Sequence, residues 1–474
     1  MSTFQQLPSE ICQHIFDHVA SNRASLQASM YVCKKWYDFT IVPFYKNIQI
    51  RGINIARLHT LFSTKTDLQP YFQYTPHTTT LTIYHDEHQQ HTVKLSSKRF
   101  LDLLLYFPNL IKLDLSGSHH CDHYMKTILY ANLPILSHIQ QIDTDYSYWS
   151  DVYCSYYYLS VCQKYSHTLK QLYLLDEQQP YEPTHFNHIT FLPHFSQLTN
   201  LTVFNYDNRS LTLFSVLTMC PQLTHVSYES SFCMNDIATY VLSRMNQRRP
   251  YHHRLISLVL RLPTLSEPYL DYLLYYTSSH METIKLELVQ DNFFNWIQKH
   301  GIQKIVALAK RMSLASHAMM YASSIHHTAH PVQQDYLSQV INALGHRRQL
   351  NYQYTLREYG HAPVLLEVTQ NTMHLDYGLL LEQDRFDASV FHLNRIHQLE
   401  LYGQSISVAS IHAIVVQCPC LEYLEMDSMD QHCLFEIKRG VCIDIEDLAK
   451  NEFINHLVKS LSKVDIYPRV IQYQ

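Results

Sequence analysis

One short pattern recurs along this chain and limits its fold more than any other feature: an apolar residue, two spacers, then apolar-x-apolar. It occurs as Leu110-x-x-Leu113-x-Leu115, Ile139-x-x-Ile142-x-Thr144, Leu169-x-x-Leu172-x-Leu174 and Leu198-x-x-Leu201-x-Val203. It continues as Leu223-x-x-Val226-x-Tyr228, Leu255-x-x-Leu258-x-Leu260 and Met281-x-x-Ile284-x-Leu286. It returns as Ile396-x-x-Leu399-x-Leu401 and Leu421-x-x-Leu424-x-Met426. The apolar-x-apolar step is the alternation of a strand with one buried face. Central residues of the first seven copies stand 29, 30, 29, 25, 32 and 26 residues apart. A strand returning at a nearly fixed period means stacked units that cannot bury their apolar faces alone and share one core. Phe107-Pro108, Cys220-Pro221 and Cys418-Pro419 precede three of the copies, placed to end the helix that leads into each strand.

No clean copy lies between Leu286 and Leu399, a gap of 113 residues with room for about three degenerate units at the same period. Within it, His317 to Gln349 is polar, and its amphipathic stretch around Tyr336, Val340 and Leu344 predicts a helical insertion. Near the end, Ile445, Leu448, Phe453, Ile454, Leu457 and Leu461 fall at helical spacing between Asp444 and Val464. Terminal repeats need a cover for their exposed core, so a capping helix is expected there.

The N-terminal stretch reads differently. Leu7-Pro8-Ser9-Glu10-Ile11 starts a helix, with proline where a backbone N–H would be unpaired and glutamate at the positive end of the dipole. Ile11, Ile15 and Val19 follow at i, i+4 and i+8, beside Cys12 and Phe16. Ser21-Asn22 breaks this helix, Ser25 is placed to cap a second, and the second, carrying Leu26, Met30, Cys33 and Trp36 or Tyr37, is expected to end before Pro43. A unit of about forty residues buries little surface alone, so it is expected to dock onto a partner.

Leu7, Pro8, Glu10 and Ile11 followed by Val32, Cys33, Lys34 and Trp36, in that register and with the Pro43-Phe44 exit, resemble the F-box. The resemblance implies binding to the Skp-type adaptor of a cullin–RING ubiquitin ligase, with Leu7, Pro8, Ile11, Ile15, Val32 and Trp36 as contacts or supports. Ile15 and Trp36 above all suit the module's own core equally well. The recurring strand pattern resembles the longer, irregular leucine-rich repeats that accompany F-boxes. It departs from them where Asn or Cys is expected three residues after the last strand leucine: Ser118, Tyr206, Ser231 and Gln404 stand there instead. The fold class these resemblances imply is α/β: F-box helices, then a horseshoe with parallel strands on its concave side and helices on its convex side. The expected divisions are an F-box over 1–46, a linker and N-terminal cap over 47–99, and a repeat array over 100–430. The array's degenerate or inserted region is 290–395, and the C-terminal cap helix region is 431–474.

Composition removes several function classes. Only eight glycines occur, and the closest pair, Gly345 and Gly360, is 15 residues apart, so G-x-G-x-x-G, the Walker A loop and G-x-S-x-G are all absent. A net charge of −5 gives no overall pull toward nucleic acid or an anionic membrane, and no apolar run approaches the ~20 residues that span a bilayer. Eleven scattered cysteines, an odd number, form no disulfide framework. With no basic-then-apolar leader, reduced thiols in cytoplasm or nucleus are expected.

With 32 histidines, chance clusters are expected. His119-His120-Cys121-Asp122-His123 holds metal-competent side chains, but five consecutive residues do not all turn toward one ion, and the run reads as a solvated rim loop. His326 and His330 share a helical face without the glutamate of H-E-x-x-H, and Cys418-Pro419-Cys420 lacks C-x-x-C spacing. No metal, cofactor or catalytic residue is assigned. More informative are the positions between strand leucines, which a horseshoe projects from its concave face. They read Asp114, Asp143 and Asp145 early, Tyr173 and Phe204 in the middle, and Glu400, Glu425 and Asp427 late, opposed by Lys112, Arg261 and Lys285. Acidic ends around an aromatic centre suit a basic protein segment with an apolar anchor; a merely solvated face is the alternative.

The expected function is therefore non-enzymatic: a substrate-recognition subunit, with the F-box docking to the adaptor and the repeats choosing a protein target. A non-degradative F-box scaffold, or a hydrolase hidden in 290–395, are the other readings.

Overall fold

The computed structural model describes residues 7–20, 22–64, 72–84, 94–144, 152–176, 188–205, 211–231, 254–276, 280–289, 293–322, 331–345, 351–358, 364–369, 372–379, 396–402, 411–412, 415–416, 418–428, 431–439, 456–457, 459, 461, 464 and 466–473. They form two compact units: Met1–Thr202 with Ser210–Leu223, and Val203–Arg209 with Thr224–Gln474.

Unit 1 begins with three helices, α1 (Ser9–Val19), α2 (Arg23–Met30) and α3 (Lys34–Lys46). The cap of α2 is Asn22, whose side chain accepts from the Ser25 N–H at 3.1 Å, so Ser25 is the capped residue and not the cap. The run expected as one helix from Leu26 to Trp36 breaks at Tyr31-Val32-Cys33, and α3 then runs through Pro43. Proline removes one N–H from the helix but leaves φ helical, and the turn before it is held by Thr40 Oγ1 donating to the Trp36 carbonyl at 2.8 Å.

No linker follows. β1 (Asn47–Arg51) leaves α3 directly and pairs in parallel with β2 (Thr80–Tyr84), which pairs with β3 (Lys112–Asp114) and that with β4 (Gln141–Asp143). The sheet therefore begins at residue 47, inside the stretch expected as linker and N-terminal cap. Its missed copy is Thr78-x-x-Leu81-x-Ile83, all three buried, with threonine in place of the first leucine. Leu81, Leu113 and Ile142 are register partners and make one buried row. β5 (Gln171–Asp176) continues the pattern, and β6 (Asn200–Asn205) begins with Thr199 and Asn200 N–H groups both donating to the Lys170 carbonyl.

Helices between the strands cover the leucine face. Helix Val152–Lys164 ends with Lys164 Nζ donating to the carbonyls of Ile128 and Leu129, both at 3.0 Å, and of Ala131, at the end of helix Cys121–Tyr130. A cation there complements the negative end of the dipole and satisfies orphan carbonyls. Burial holds the Lys164 ammonium below its ordinary pKa.

Unit 2 continues with β7 (His225–Ser230), β8 (Ser257–Leu262), β9 (Thr283–Leu288) and β10 (His317–Ala322), paired in parallel. Val226, Leu258, Ile284 and Ala318 form one buried row, and Tyr228, Leu260, Leu286 and Met320 the next. The segment from His317 is thus first a strand, not a helical insertion. It is a further copy, Ala315-x-x-Ala318-x-Met320, with alanine at both leucine positions. Two helices, Phe293–His300 and Ile302–Met312, precede it, joined at Gly301, whose φ of +81° suits glycine. The helix read around Tyr336, Val340 and Leu344 follows, as Pro331–Gly345.

Beyond it regular stacking stops. β12 (Val364–Val368) runs antiparallel to β10 and to β13 (Thr372–Leu379), while β11 (Asn351–Glu358) sits between β13 and β14 (Ile396–Tyr402), parallel to both. β15 (Tyr423–Ser428) resumes the parallel order. Among the described C-terminal residues, β16 (Gln431–Arg439) pairs antiparallel with β15, and β17 (Ile466–Tyr473) with β16. Of the expected capping helix, Leu457 and Leu461 are helical and fully buried. Strands cap the sheet because its last edge leaves unpaired backbone groups, which a helix on one face does not satisfy.

Every described position of the nine copies read from the sequence is buried. The intervening Thr202, Val259 and Lys285, expected to be exposed, are half-buried. The irregular ladder has local substitutes. Buried Asn205 donates Nδ2 to the Tyr228 hydroxyl at 3.1 Å, and buried Ser118 accepts from the His120 N–H at 3.3 Å.

Candidate functional site

Helix α1 divides its apolar residues between two directions. Cys12 and Phe16 face inward and, with Leu26 of α2, are fully buried. Phe16 stacks at 6.2 Å on Phe39 and meets Trp36 edge-on at 5.4 Å, both residues of α3. The adjoining row faces out: Ile11 is 46% exposed and Ile15 36%. Residues four apart lie on one helical face, so these two form one apolar stripe. In the turn between α2 and α3, Tyr31 is 81% exposed and Val32 59%. The three-helix module has filled its own core and still presents large apolar side chains.

The six residues singled out from the sequence therefore separate. Ile11, Ile15 and Val32 are available to a partner, and Pro8 is exposed at the start of α1. Trp36 is half-buried against Phe16 and acts as a support. Leu7 is half-buried, and its carbonyl accepts from Lys35 Nζ at 3.3 Å, which ties the start of α1 to α3. Tyr31, not singled out from the sequence, is exposed beside Val32. It sits one place before Val32 in the turn between α2 and α3.

The module is anchored at its base. The hydroxyls of Tyr37 and Tyr74 lie 2.6 Å apart, and the Tyr45 ring is 5.0 Å from Tyr74. The Tyr74 hydrogen bond, ahead of burial, pushes Tyr37 up to about 12. Thr78 Oγ1 donates to the Tyr45 carbonyl at 2.8 Å, and Arg23 lies over the Phe44 ring at 4.7 Å.

On the outward strand face of unit 1, the acids already hold partners. Asp143 takes Lys112 Nζ at 2.6 Å and Gln141 Nε2 at 2.8 Å, while Asp114 accepts from the Ser116 N–H and hydroxyl. Tyr173 is half-buried on the same face and receives Gln171 Nε2 on its hydroxyl. Asp145 lies outside the described residues. In unit 2, Phe204 is half-buried on β6, Glu400 accepts from Gln398 at 3.0 Å, and Glu425 is half-buried on β15. Asp427 lies on β15 in register with Tyr402, its side chain outside the described set. Tyr173 and Phe204 belong to different units. Of the acids read from the sequence, Asp143 is held in an ion pair, and Asp114 and Glu400 accept hydrogen bonds from neutral donors.

The histidine-rich run is a turn at His119 and His120 that enters a helix: Cys121 opens helix Cys121–Tyr130 and is buried, and His123 Nε2 lies 3.1 Å from the Leu95 carbonyl. Among the described residues no three His, Cys, Asp or Glu side chains converge as metal ligands. His326 and His330 lie outside the described residues. Cys418 is buried and Cys420 exposed, both as free thiols. In the region once considered for a hydrolase, His317 Nε2 meets Glu367 Oε1 at 2.5 Å, but among the described residues no hydroxyl or thiol bonds to that ring.

A small helical module followed by stacked strand–helix units around a leucine core is the organisation of a repeat protein. Residues 4–51 match the F-box-like family model, which ends at the last residue of β1. The chain thus carries an F-box-like module over residues 4–51, followed by an array of parallel strands and helices. No curated protein matches the sequence. Among solved structures, a leucine-rich repeat-containing protein from Legionella pneumophila aligns at 14% identity over 64% of this chain and 99% of its own, with a TM-score of 0.32.

Proposed function

We propose that this protein is a non-enzymatic substrate-recognition subunit of a Skp–cullin–F-box type ubiquitin ligase. The F-box-like module docks to the Skp-type adaptor, and through it to cullin and RING subunits, while the repeat array holds a target protein. The observation that carries this reading is the exposed Ile11, Ile15, Tyr31 and Val32 on a module whose core is already complete. Aromatic and aliphatic anchors of this kind supply most of the free energy of a protein interface. The chain's contribution to catalysis is proximity: it holds a target near ubiquitin chemistry performed by other subunits. Cytoplasm or nucleus is the compartment that fits its thiols. Cys162 and Cys220 are buried and free, and desolvation pushes both up, Cys220 to about 12, which leaves them unreactive.

The test is co-purification of the full chain with a Skp-type adaptor and a cullin. Wild type should bring both down, and Ile11→Asp with Ile15→Asp should bring down neither while remaining folded. Adaptor capture that is indifferent to this pair would remove the docking assignment.

A further inference from the structure

Two register rows cross the outward face of unit 2. One runs Ser227, Val259, Lys285, Met319, Glu367 and His374; the other runs Glu229, Arg261, Glu287, Tyr321 and Leu365. All are half-buried except Arg261, which is exposed. The carboxylates on this face have partners, one arginine shared by two glutamates and a histidine ring for the third. Arg261 lies between Glu229 at 3.4 Å and Glu287 at 3.5 Å, and Glu367 meets His317 at 2.5 Å.

Lys285 is different. Among the described residues its ammonium has neither an ion pair nor a hydrogen bond, and its register partners on both sides, Val259 and Met319, are apolar. A half-buried cation has lost part of its hydration, and a carboxylate brought to it restores the loss with a charge-assisted hydrogen bond. Beside it, Met319, Tyr321 and Leu365 make an apolar floor, with Tyr321 and Leu365 directly paired between β10 and β12.

We infer that this face of unit 2 binds an acidic, extended segment of a partner protein, whose carboxylate meets Lys285 Nζ while an aliphatic side chain two residues further lies over Met319 and Tyr321. The spacing fits. Neighbouring strands are about 4.8 Å apart and same-face residues of one strand about 7 Å, so Lys285 and Tyr321 lie on a diagonal of roughly 8 Å, within reach of side chains two residues apart on an extended chain. The inference rests on the reading of the array as the target-binding part, and it reverses the charge expected of the target from sequence alone. Among the acids that suggested a basic segment, Asp143 already holds Lys112 in an ion pair, whereas Lys285 has no such partner among the described residues.

The probe is a fluorescein-labelled peptide, Gly-Ser-Glu-Ser-Leu-Ser-Gly, with matched versions carrying Gln or Lys in place of Glu. Binding is read by anisotropy on the full chain, with and without the adaptor, so loss of adaptor docking is scored separately from loss of peptide binding. The Glu peptide should bind about tenfold more tightly than the Gln peptide, the step expected of one charge-assisted contact. Lys285→Met should erase that difference, and Lys285→Glu should favour the Lys peptide. Lys299→Met, on an exposed helix position, should leave the preference unchanged. If Lys285→Met melts early, Lys285→Gln replaces it. Equal binding of the Glu and Gln peptides, an acid preference that survives loss of Lys285, or phosphatidylserine vesicles displacing the Glu peptide would each overturn the inference.

Discussion

The indole of Trp36 meets the Phe16 ring edge-on, with centroids 5.4 Å apart and planes at 73°. This contact commits Trp36 to the interior of the helical module. It also fixes the direction of α1: with Phe16 turned inward, Ile11 and Ile15 are turned out. Substitutions on the two sides of one helix should therefore have separable consequences.

Ile11→Asp combined with Ile15→Asp should leave the melting temperature within a few degrees of wild type, because neither side chain fills the core. Adaptor affinity should fall at least tenfold, since each interface anchor contributes on the order of 2 kcal/mol. Phe16→Ala should instead cost about 3–5 kcal/mol of stability, and binding should be lost only as the module unfolds. Thermal melts run beside adaptor titrations distinguish the two. Outward substitutions that unfold the module would show that the stripe is core.

The module's base predicts a dependence on the first repeat. Tyr74 contacts both Tyr37 and Tyr45, so a fragment ending at residue 46 loses those contacts and the pairing of β1. In the full chain, Tyr74→Ala should destabilise the module by about 1–3 kcal/mol in urea melts. Tyr74→Phe removes only the hydroxyl, and it should return the Tyr37 titration from about 12 toward that of an ordinary tyrosine, followed by absorbance. An unchanged melt in Tyr74→Ala would mean the module stands alone.

How far the sequence disclosed this fold depended on side-chain size. Copies with leucine, isoleucine or valine at the key positions were legible, and their strands lie where the pattern places them. Thr78-x-x-Leu81-x-Ile83 and Ala315-x-x-Ala318-x-Met320 occupy equivalent buried positions and escaped notice, because threonine and alanine are also common on surfaces and in helices. The strand swap around β11 left no mark, since strand order depends on pairings between distant segments. Pro43 misled because proline usually ends helices. At the candidate site, Ile11, Ile15 and Val32 were visible as apolar residues in a known register. Which of them point outward was not, because that follows from how α1 packs on α3. The lack of a partner at Lys285 was hidden for the same reason: charge matching acts across strands about 30 residues apart in sequence.

His123 gives the fold a pH dependence with a definite sign. Burial first, and Lys94 second, hold its pKa below the ordinary histidine value. In the unfolded chain the ring binds a proton near pH 6.5, whereas the folded protein resists it. The associated stability is complete above about 6.5 and is lost as pH falls through the lower folded value. Urea midpoints should therefore drop between pH 7.5 and 5.5, and His123→Gln should flatten that drop. A mutant with the same slope as wild type would place the dependence elsewhere.

The last prediction concerns the shared core of unit 2. Val226, Leu258, Ile284 and Ala318 are register partners on four successive strands, and all are buried. The face of each strand is set by its register, because a shift of one residue would bring Val259 and Lys285 inward and expel the leucines. Leu258→Ala should open a cavity beside two neighbours and cost about 2–5 kcal/mol. Ala318→Leu would supply the leucine that the pattern has elsewhere, but Ala318 is already fully enclosed, so it should overpack the row and cost about 1–3 kcal/mol. Because they sit two strands apart in the same row, the pair is also a test of repacking. If the strands can shift, the double mutant recovers stability; if the row is rigid, as pairing on both sides of β9 implies, the costs add. Additive losses in urea melts are expected. A double mutant as stable as wild type would mean that the row is free to slide.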